Sequence, residues 1–203
     1  MTVSDRVREA SAPAPPADGT IYPLREDTRL LLPFARVRAG TSFLEIGCGQ
    51  GEASMIAAHA GAFVIATDRN PTALRSLRRR AQAESLPIHP VLTDLACGLG
   101  RFDRILANPP YLPVPDQGRD PNSWFDLTTD GGPDGCSTTA RLFEAFPEHL
   151  RGAGSAYLLV STLQAPERLA ELFGAWKGAG RRATEVASRT LEGERLDVWE
   201  LSL

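Results

Sequence analysis

Four consecutive residues, Asn108, Pro109, Pro110 and Tyr111, follow the strand-like run "FDRILA" and set side by side an amide, two residues without a backbone N–H, and an aromatic ring. Proline offers a carbonyl and no donor. The Asn108 Oδ1 and the Pro109 carbonyl can therefore accept both N–H groups of a planar amide or amine, while Tyr111 stacks on its plane. An sp2 nitrogen is a weak nucleophile because its lone pair is delocalised. Two fixed acceptors stabilise the positive charge that builds on it during attack. The donor of the transferred group must then lie in line, with reacting atoms roughly 3–3.5 Å apart. Such chemistry needs no metal and no covalent nucleophile. Cys48, Cys97 and Cys136 are widely spaced without a CxxC pair and the histidines are scattered, so no metal site is expected and the thiols are expected to be reduced.

A second set of residues precedes this one. In "LEIGCGQGEAS" the glycines are Gly47, Gly49 and Gly51. A glycine turn lets backbone come close to a ligand because no Cβ intervenes. The dinucleotide fingerprint GxGxxG would need its third glycine where Glu52 stands, which speaks against a nicotinamide cofactor. Asp68 closes the run "AFVIATD" about 20 residues further on, where an α/β fold places a carboxylate against ribose hydroxyls. Asp94 closes "IHPVLTD" and is expected beside the base. A lone Asp after a strand is commonly a cap or turn residue; two at successive strand ends beside a glycine turn read as an adenosine site.

The elements that must position these residues follow from the pattern. "REDTRLLLPFARVR" predicts a helix that Pro33 shortens or kinks. "TSFLEIG" reads as a strand, "EASMIAAHA" as a helix, "AFVIATD" as a strand, and "PTALRSLRRRAQAE" as a helix with Pro71 in its first turn. "IHPVLTD" and "RFDRILAN" give two more strands. "TARLFEAFPEHL", "GSAYLLVS" and "APERLAELFGAW" continue as helix, strand and helix, and "RATEVASRTLEGERLDVWELSL" as two antiparallel strands joined near Gly193. Strands alternating with helices predict an α/β fold whose parallel sheet is covered on both faces. Asn108 then emerges at the carboxyl end of the fourth strand, on the rim where such sheets bind ligands.

With 203 residues, 42% of them hydrophobic, the chain suits one compact domain. The stretch "EASAPAPPADG" is rich in Pro and Ala, so residues 1–20 are expected to form a flexible arm and 21–203 a single domain. The net charge of −3 and the sequence pI near 5.7 exclude a general polyanion binder; no stable nucleic-acid binding is expected. One basic run, "RSLRRR", puts Arg75, Arg78 and Arg79 on a single helical face, and most such faces are simply solvated. Neither an apolar leader nor a run of roughly 20 apolar residues is present, so a cytoplasmic protein without membrane contact is expected. Trp124 and Phe125 read as residues pinning the long loop Leu112 to Ser137, and Trp176 and Trp199 as core or rim.

With "LEIGCGQG", "ATD", "TDL" and "NPPY" in this order, the chain resembles class I S-adenosylmethionine-dependent methyltransferases, and NPPY narrows this to enzymes of planar or exocyclic nitrogens. "YPLREDTRLLL", "NPPYLPVP" and "DGGPDG" are similar to the short archaeal and eukaryotic-type relatives of the HemK/PrmC release-factor glutamine methyltransferases, over roughly Ile21 to the C-terminus. The resemblance implies a Rossmann-like, seven-stranded, mostly parallel sheet of order 3-2-1-4-5-7-6 with helices on both faces. It implies S-adenosyl-L-methionine as cofactor, held by Thr28, Glu45, Gly47, Asp68, Asp94, Leu95 and Asn108 together with Gly49 and Gly51 of the glycine turn. Asn108, Pro109, Pro110 and Tyr111 are then the catalytic segment. The implied reaction is N5-methylation of the glutamine in the Gly-Gly-Gln loop of a class I translation release factor, in several relatives with a small zinc-binding activator protein covering an apolar sheet edge.

Two departures bear on this. The family carries Pro two residues after the Tyr of its Y-x-P-x-E-D-T segment, whereas Pro23 directly follows Tyr22, which predicts a differently seated lid. Arg supplies all but one of the 22 basic residues, a bias suggesting a GC-rich bacterium, and the bacterial release-factor enzymes carry an extra N-terminal helical domain for which this sequence has no room. Two alternatives stand beside the glutamine reading. A small-molecule N-methyltransferase would use the same site. An adenine-N6 DNA methyltransferase would meet the same pair of hydrogens, against which stand the acidic pI and the lack of an insert to hold flanking backbone. A degenerate binding module would show damage to the acids or to NPPY, and none is visible.

Overall fold

The structure is a computed structural model and describes residues 21–115 and 124–203. The proposed arm, residues 1–20, and the middle of the loop after Tyr111 lie outside the described residues. The chain enters through helix α1 (Glu26–Leu31), which tightens into a 3-10 turn (Leu32–Ala35) where Pro33 removes a backbone donor. Strand β1 (Ser42–Ile46) is buried along its whole length. Then follow α2 (Glu52–His59), β2 (Phe63–Asp68), α3 (Pro71–Ala83), β3 (Ile88–Leu92) and β4 (Phe102–Ala107). A short helix α4 (Trp124–Thr129) precedes α5 (Ser137–His149), β5 (Leu150–Ser161), α6 (Pro166–Gly178), β6 (Arg182–Leu191) and β7 (Glu194–Ser202).

The seven strands form one sheet of order β3-β2-β1-β4-β5-β7-β6. The pairs from β3 across to β5 are parallel; β7 runs antiparallel between β5 and β6. This is the Rossmann-like class I methyltransferase arrangement expected from the sequence. Side-chain alternation divides the core into two layers. Phe43, Leu106, Leu159 and Val198 face the layer that holds Ala57 and Leu77 of α2 and α3. Leu44, Ile105, Leu158 and Leu201 face the layer that holds Leu142 and Phe146 of α5 and Trp176 of α6. Both Trp expectations hold, since Trp176 is buried and Trp199 packs partly covered against the second layer.

Register is what brings the chemistry together. Ile46 pairs with Thr67 on one side and with Ala107 on the other. The residues that follow these three, Gly47, Asp68 and Asn108, therefore lie on one rim of the sheet. Two expected boundaries differ. The strand β3 stops at Leu92, two residues before Asp94, so that Asp94 stands in the following turn and does not close the strand. The strand β5 starts at Leu150 instead of Gly154, with an irregularity opposite Phe102 and Arg104 that the chain crosses through Gly154, where a Cβ would lie 2.8 Å from the Phe102 carbonyl.

Gly51 begins α2 with φ +75°, and a Cβ there would come within 2.5 Å of the Leu77 side chain, which is fully buried and cannot move aside. Left-handed backbone strain and overpacking combine to a loss of about 2–4 kcal/mol for Gly51→Ala. Urea unfolding monitored by circular dichroism checks this, and a midpoint equal to wild type would refute the tight contact.

Candidate functional site

The rim opens into a cavity of about 360 Å³. The glycine turn, Asp68, the Thr93–Leu95 segment, Asn108–Leu112, the entry segment Ile21–Leu32 and Glu194 all contribute to its walls. That size falls within the roughly 300–1,000 Å³ usual for small-ligand clefts. All of the candidate cofactor and acceptor residues named from the sequence line it: Thr28, Glu45, Gly47, Gly49, Gly51, Asp68, Asp94, Leu95 and Asn108 to Tyr111.

The glycine turn is held by two side chains from different elements, Asp68 and Arg80. Gly49 N–H donates to Asp68 Oδ2 at 2.8 Å, and Asp68 Oδ1 accepts from Asn70 N–H at 2.7 Å. Asn70 in turn caps α3, its Oδ1 accepting from Thr72 N–H at 2.9 Å. Asp68 thus ties two turns together. Burial, the largest influence, pushes its carboxyl upward against these hydrogen bonds. From the other side Arg80 donates to the Gln50 carbonyl at 2.7 Å and pairs with Glu52 at 2.9 Å. One member of the basic run is therefore a fastener of the turn, and Arg75 bonds back to Thr72 on its own helix. At Gly47 nothing lies within 4 Å of where a Cβ would stand, so the turn presents bare backbone.

Glu45 does something the sequence reading did not foresee. Its Oε2 accepts from both the N–H and the hydroxyl of Ser54, the third residue of α2. A strand carboxylate thereby caps the helix whose own leading residue, Gly51, has no side chain to offer. Complete burial raises its carboxyl to about 7, against the two Ser54 bonds.

Asp94 is half exposed and paired with Arg141 of α5 at 2.6 Å. Leu95 adopts φ +51°, unusual for its type, and its carbonyl accepts from the Thr67 hydroxyl at 2.7 Å, which holds the backbone in place. At the acceptor end a chain of hydrogen bonds runs through the entry segment. Asn108 Nδ2 donates to Thr28 Oγ1 at 3.3 Å, Thr28 Oγ1 donates to Asp27 Oδ1 at 3.3 Å, and Tyr22 donates to Asp27 Oδ2 at 2.8 Å. The Asn108 Oδ1 is buried and has no partner. A buried acceptor left unpaired costs free energy unless a ligand completes it. Tyr111 is half buried, and its hydroxyl is pushed upward first by burial and then by the neighbouring Asp27 and Glu194 carboxylates.

Tyr22, Asp27, Glu194 and Arg141 were not singled out from the sequence. Tyr22 and Asp27 belonged to a quoted segment, whereas nothing local marks Glu194, which reaches the site only because β7 runs back beside β5. The displaced proline does not lift the entry segment away, since the Tyr22 carbonyl and Cβ stand 3.8 and 3.9 Å from where a Gly49 Cβ would be. The side chains of Trp124 and Phe125 lie outside the described residues. Among the described residues no group of His, Cys, Asp and Glu could hold a metal, and no helix is long and apolar enough to cross a membrane.

The chain is similar to known methyltransferases in sequence and in fold. The family described as "Methyltransferase small domain" matches residues 24–118. Methyltransferase HEMK2 of Mus musculus is 32% identical over 195 residues, 90% of this chain and 89% of the mouse protein. The putative protein N5-glutamine methyltransferase MJ0928 of Methanocaldococcus jannaschii is 33% identical over 145 residues, 70% and 73% of the two chains. Among solved structures, Mtq2 of E. cuniculi, in its complex with Trm112 that methylates the termination factor eRF1, superposes with TM-score 0.68 at 24% identity, covering 90% of this chain and 98% of that one.

The Glu45 cap has a pH consequence. Its folded-state value of about 7 lies above the 4.5 of a free glutamate, so the folded protein holds the proton more tightly than the unfolded chain. Stability from this group is complete below the unfolded value and is lost as pH rises through about 7. Glu45→Gln keeps an acceptor for Ser54 without the charge. The difference in Tm between Glu45→Gln and wild type should therefore grow in favour of the variant from pH 5 to pH 8, by scanning calorimetry; a constant difference would show that Glu45 ionises normally.

Proposed function

The chain belongs to the family of methyltransferases that includes HEMK2 and the protein N5-glutamine enzymes, and from that premise we propose that it transfers a methyl group from S-adenosyl-L-methionine to the side-chain nitrogen of a protein glutamine, in the Gly-Gly-Gln loop of a class I translation release factor. The observation that carries the reading is the buried Asn108 Oδ1 without a partner, at the end of β4 and followed by two prolines. An enzyme for amides needs an acceptor that the protein itself leaves open.

The cofactor fits the residues present. Gly47 and Gly49 present backbone to the cavity, Asp68 offers its carboxylate to a ribose, and Asp94 and Leu95 line the wall where a base would lie. S-adenosylmethionine supplies an electrophilic methyl group carried on a cationic sulfur. Everything else falls to the chain. Asn108 Oδ1 and the Pro109 carbonyl accept the two N–H groups of the amide and so orient its lone pair. They would act as fixed dipoles that stabilise the charge developing on the nitrogen as it takes the methyl group, and the proton that the methylated nitrogen must then release would pass to solvent. Thr28 holds the Asn108 amide in that orientation by accepting from Nδ2. Tyr111 offers a ring face for the amide plane.

Two further features favour a protein acceptor. Asp27 and Glu194 both act on Tyr111, and a nucleic acid would bring its phosphates toward these carboxylates. At the far edge of the sheet, β3 leaves Leu92 exposed, and Phe63 of the adjoining β2 is exposed beside His89 at 5.0 Å between rings. An apolar edge strand of this kind suits a small activator protein, and the Mtq2–Trm112 pair supports that reading. We read residues 21–203 as the domain that does this work, in the cytoplasm where release factors act.

The test is methyl transfer from labelled S-adenosylmethionine to the release factor of the same organism, scored by mass spectrometry on the Gly-Gly-Gln peptide with a Gln→Ala control. Label on that glutamine is expected; its absence, with cofactor binding intact and an activator supplied, would move the acceptor elsewhere. Asn108→Ala should lower kcat by about 100-fold or more, because it removes an acceptor used chiefly in the transition state. Cofactor affinity should survive that change in large part. Asp68→Ala should instead weaken cofactor binding by about tenfold or more, as expected for loss of charge-assisted hydrogen bonds. Calorimetry giving equal affinities for Asp68→Ala and wild type would remove Asp68 from the cofactor site.

A further inference from the structure

The segment Asn108 to Tyr111 is a short span between two anchors. Its near end continues β4, whose last residue Ala107 pairs with Ile46 of β1 and with Leu158 of β5. Pro109 and Pro110 then remove two of the backbone donors that could pin the chain as it leaves the sheet. Past Tyr111 the chain is held again, by a different partner. Leu112 N–H donates to the Thr129 carbonyl at 3.0 Å, Gly131 N–H returns to the Leu112 carbonyl at 2.9 Å, and Val114 N–H donates to the Gly132 carbonyl at 2.9 Å. The far end of the segment therefore follows wherever the turn Asp130 to Gly135 is set.

That turn is closed on itself and wedged in place. Gly132 N–H donates to Asp130 Oδ1 at 2.7 Å, and Gly135 N–H to the Gly132 carbonyl at 3.1 Å. A Cβ on Gly135, which has φ +74°, would lie 2.5 Å from the Tyr111 carbonyl oxygen and 3.3 Å from Gln164 Cα and Cγ, so this glycine is packed between Tyr111 and Gln164 with no room for a side chain. Gln164, in the turn after β5, is almost wholly buried and uses both ends of its amide. Its Nε2 donates to the Gly135 carbonyl and to Thr139 Oγ1 of α5, each at 2.9 Å, and its Oε1 accepts from the N–H of Ser161, the last residue of β5, at 2.9 Å. Beside it Ala165 N–H donates to the Asp134 carbonyl at 2.9 Å. One buried side chain thus joins the end of β5, the start of α5 and the glycine that backs Tyr111. The two anchors of the span belong to adjacent strands, β4 and β5, and Gln164 fastens the second.

We propose that Gln164 is a positioning residue for methyl transfer: by fixing Gly135 behind the Tyr111 carbonyl it sets where the Asn108–Tyr111 segment stands, and with it the two acceptors for the substrate nitrogen. The inference rests on the reading of Asn108 to Tyr111 as the acceptor site. Transfer needs the nitrogen in line with the methyl group, and displacements of about an ångström are costly. A span that holds two prolines depends on its ends for that precision.

One arm of the test needs no substrate. Gln164→Met keeps the length of the side chain and removes its polar end. By amide hydrogen exchange, Leu112, Val114 and Gly131 should exchange about tenfold faster than in wild type, over and above any change at Leu44 of β1. No such excess at any of the three overturns the proposal. Gln164→Glu, which keeps the acceptor for Ser161 and loses the donor for Gly135, carries the same readouts where Gln164→Met fails to fold. The second arm is kinetic, on the release factor. Gln164→Met should lower kcat by about tenfold while cofactor affinity stays within about twofold of wild type. Thr139→Val removes the other partner of Nε2 and leaves Gly135 bonded, so it should lower Tm yet hold kcat within about twofold of wild type. Equal losses of kcat in the two variants, or none in either, would also overturn the proposal. If wild type transfers no methyl group to the release factor, the acceptor reading fails on its own, and the exchange arm still decides whether Gln164 sets the segment.

Discussion

The amide of Asn108 is the constraint on which the site depends. An asparagine side chain can turn over and exchange its oxygen for its nitrogen, and only one of the two orientations leaves an acceptor facing the cavity. Thr28 decides the orientation by taking the Nδ2 hydrogen, and Asp27 decides the orientation of Thr28 by accepting from both its hydroxyl and its N–H. The buried Oδ1 is left with nothing to bind. A fold optimised for stability alone would satisfy that atom, since an orphaned buried acceptor costs about 1–3 kcal/mol. Its persistence beside two prolines, which cannot donate, is what an amide-binding site requires.

The same economy of roles recurs around the cavity. Asp68 holds the glycine turn and the start of α3 while lining the cavity. Glu45 caps α2 from a neighbouring strand because the turn residue that should cap it is glycine. Backbone bare enough to approach a ligand loses the side chains that would normally finish a helix, and acids from β1 and β2 take over that work. On the proposed reading binding and folding share residues here, and a substitution at Glu45 or Asp68 would act on both.

What the sequence made legible was whatever lies on one element or at one strand end. The strand, turn and helix around Gly47 to Gly51, the acid at Asp68 and the segment Asn108 to Tyr111 were all readable, because a parallel sheet gathers successive strand ends on one rim. Asp94 was placed at the end of β3, yet the strand stops at Leu92 and the acid, still at the cavity wall, pairs with Arg141, a partner 47 residues away that no local pattern announces. The left-handed backbone of Leu95 was equally hidden, since nothing in a leucine signals φ +51°. Glu194 and Gln164 escaped notice for the same physical reason. The Glu194 contact with Ser161 depends on how β7 turns back beside β5, and those of Gln164 on how the turn after β5 meets Gly135 and Thr139 ahead of and within α5; neither arrangement is written in any single segment.

The entry segment shows why the two halves of the site are coupled. Ile21 to Leu32 lies over the glycine turn, and the same segment supplies Thr28 to Asn108. Glu26 of α1 pairs with Arg189 of β6 at 2.5 Å, so the segment is also anchored to the antiparallel hairpin. If the segment lifted, the cavity would lose a wall and Asn108 would lose the hydroxyl that sets its amide, in one motion. A cofactor that packs against the segment would then strengthen the orientation of the acceptor site without touching it, because both rest on the docking of α1. Order of binding follows from this argument: on the proposed reading, an acceptor amide meets a correctly oriented Asn108 chiefly when the segment is already seated, and anything that stabilises the seated segment raises the fraction of enzyme competent to receive it.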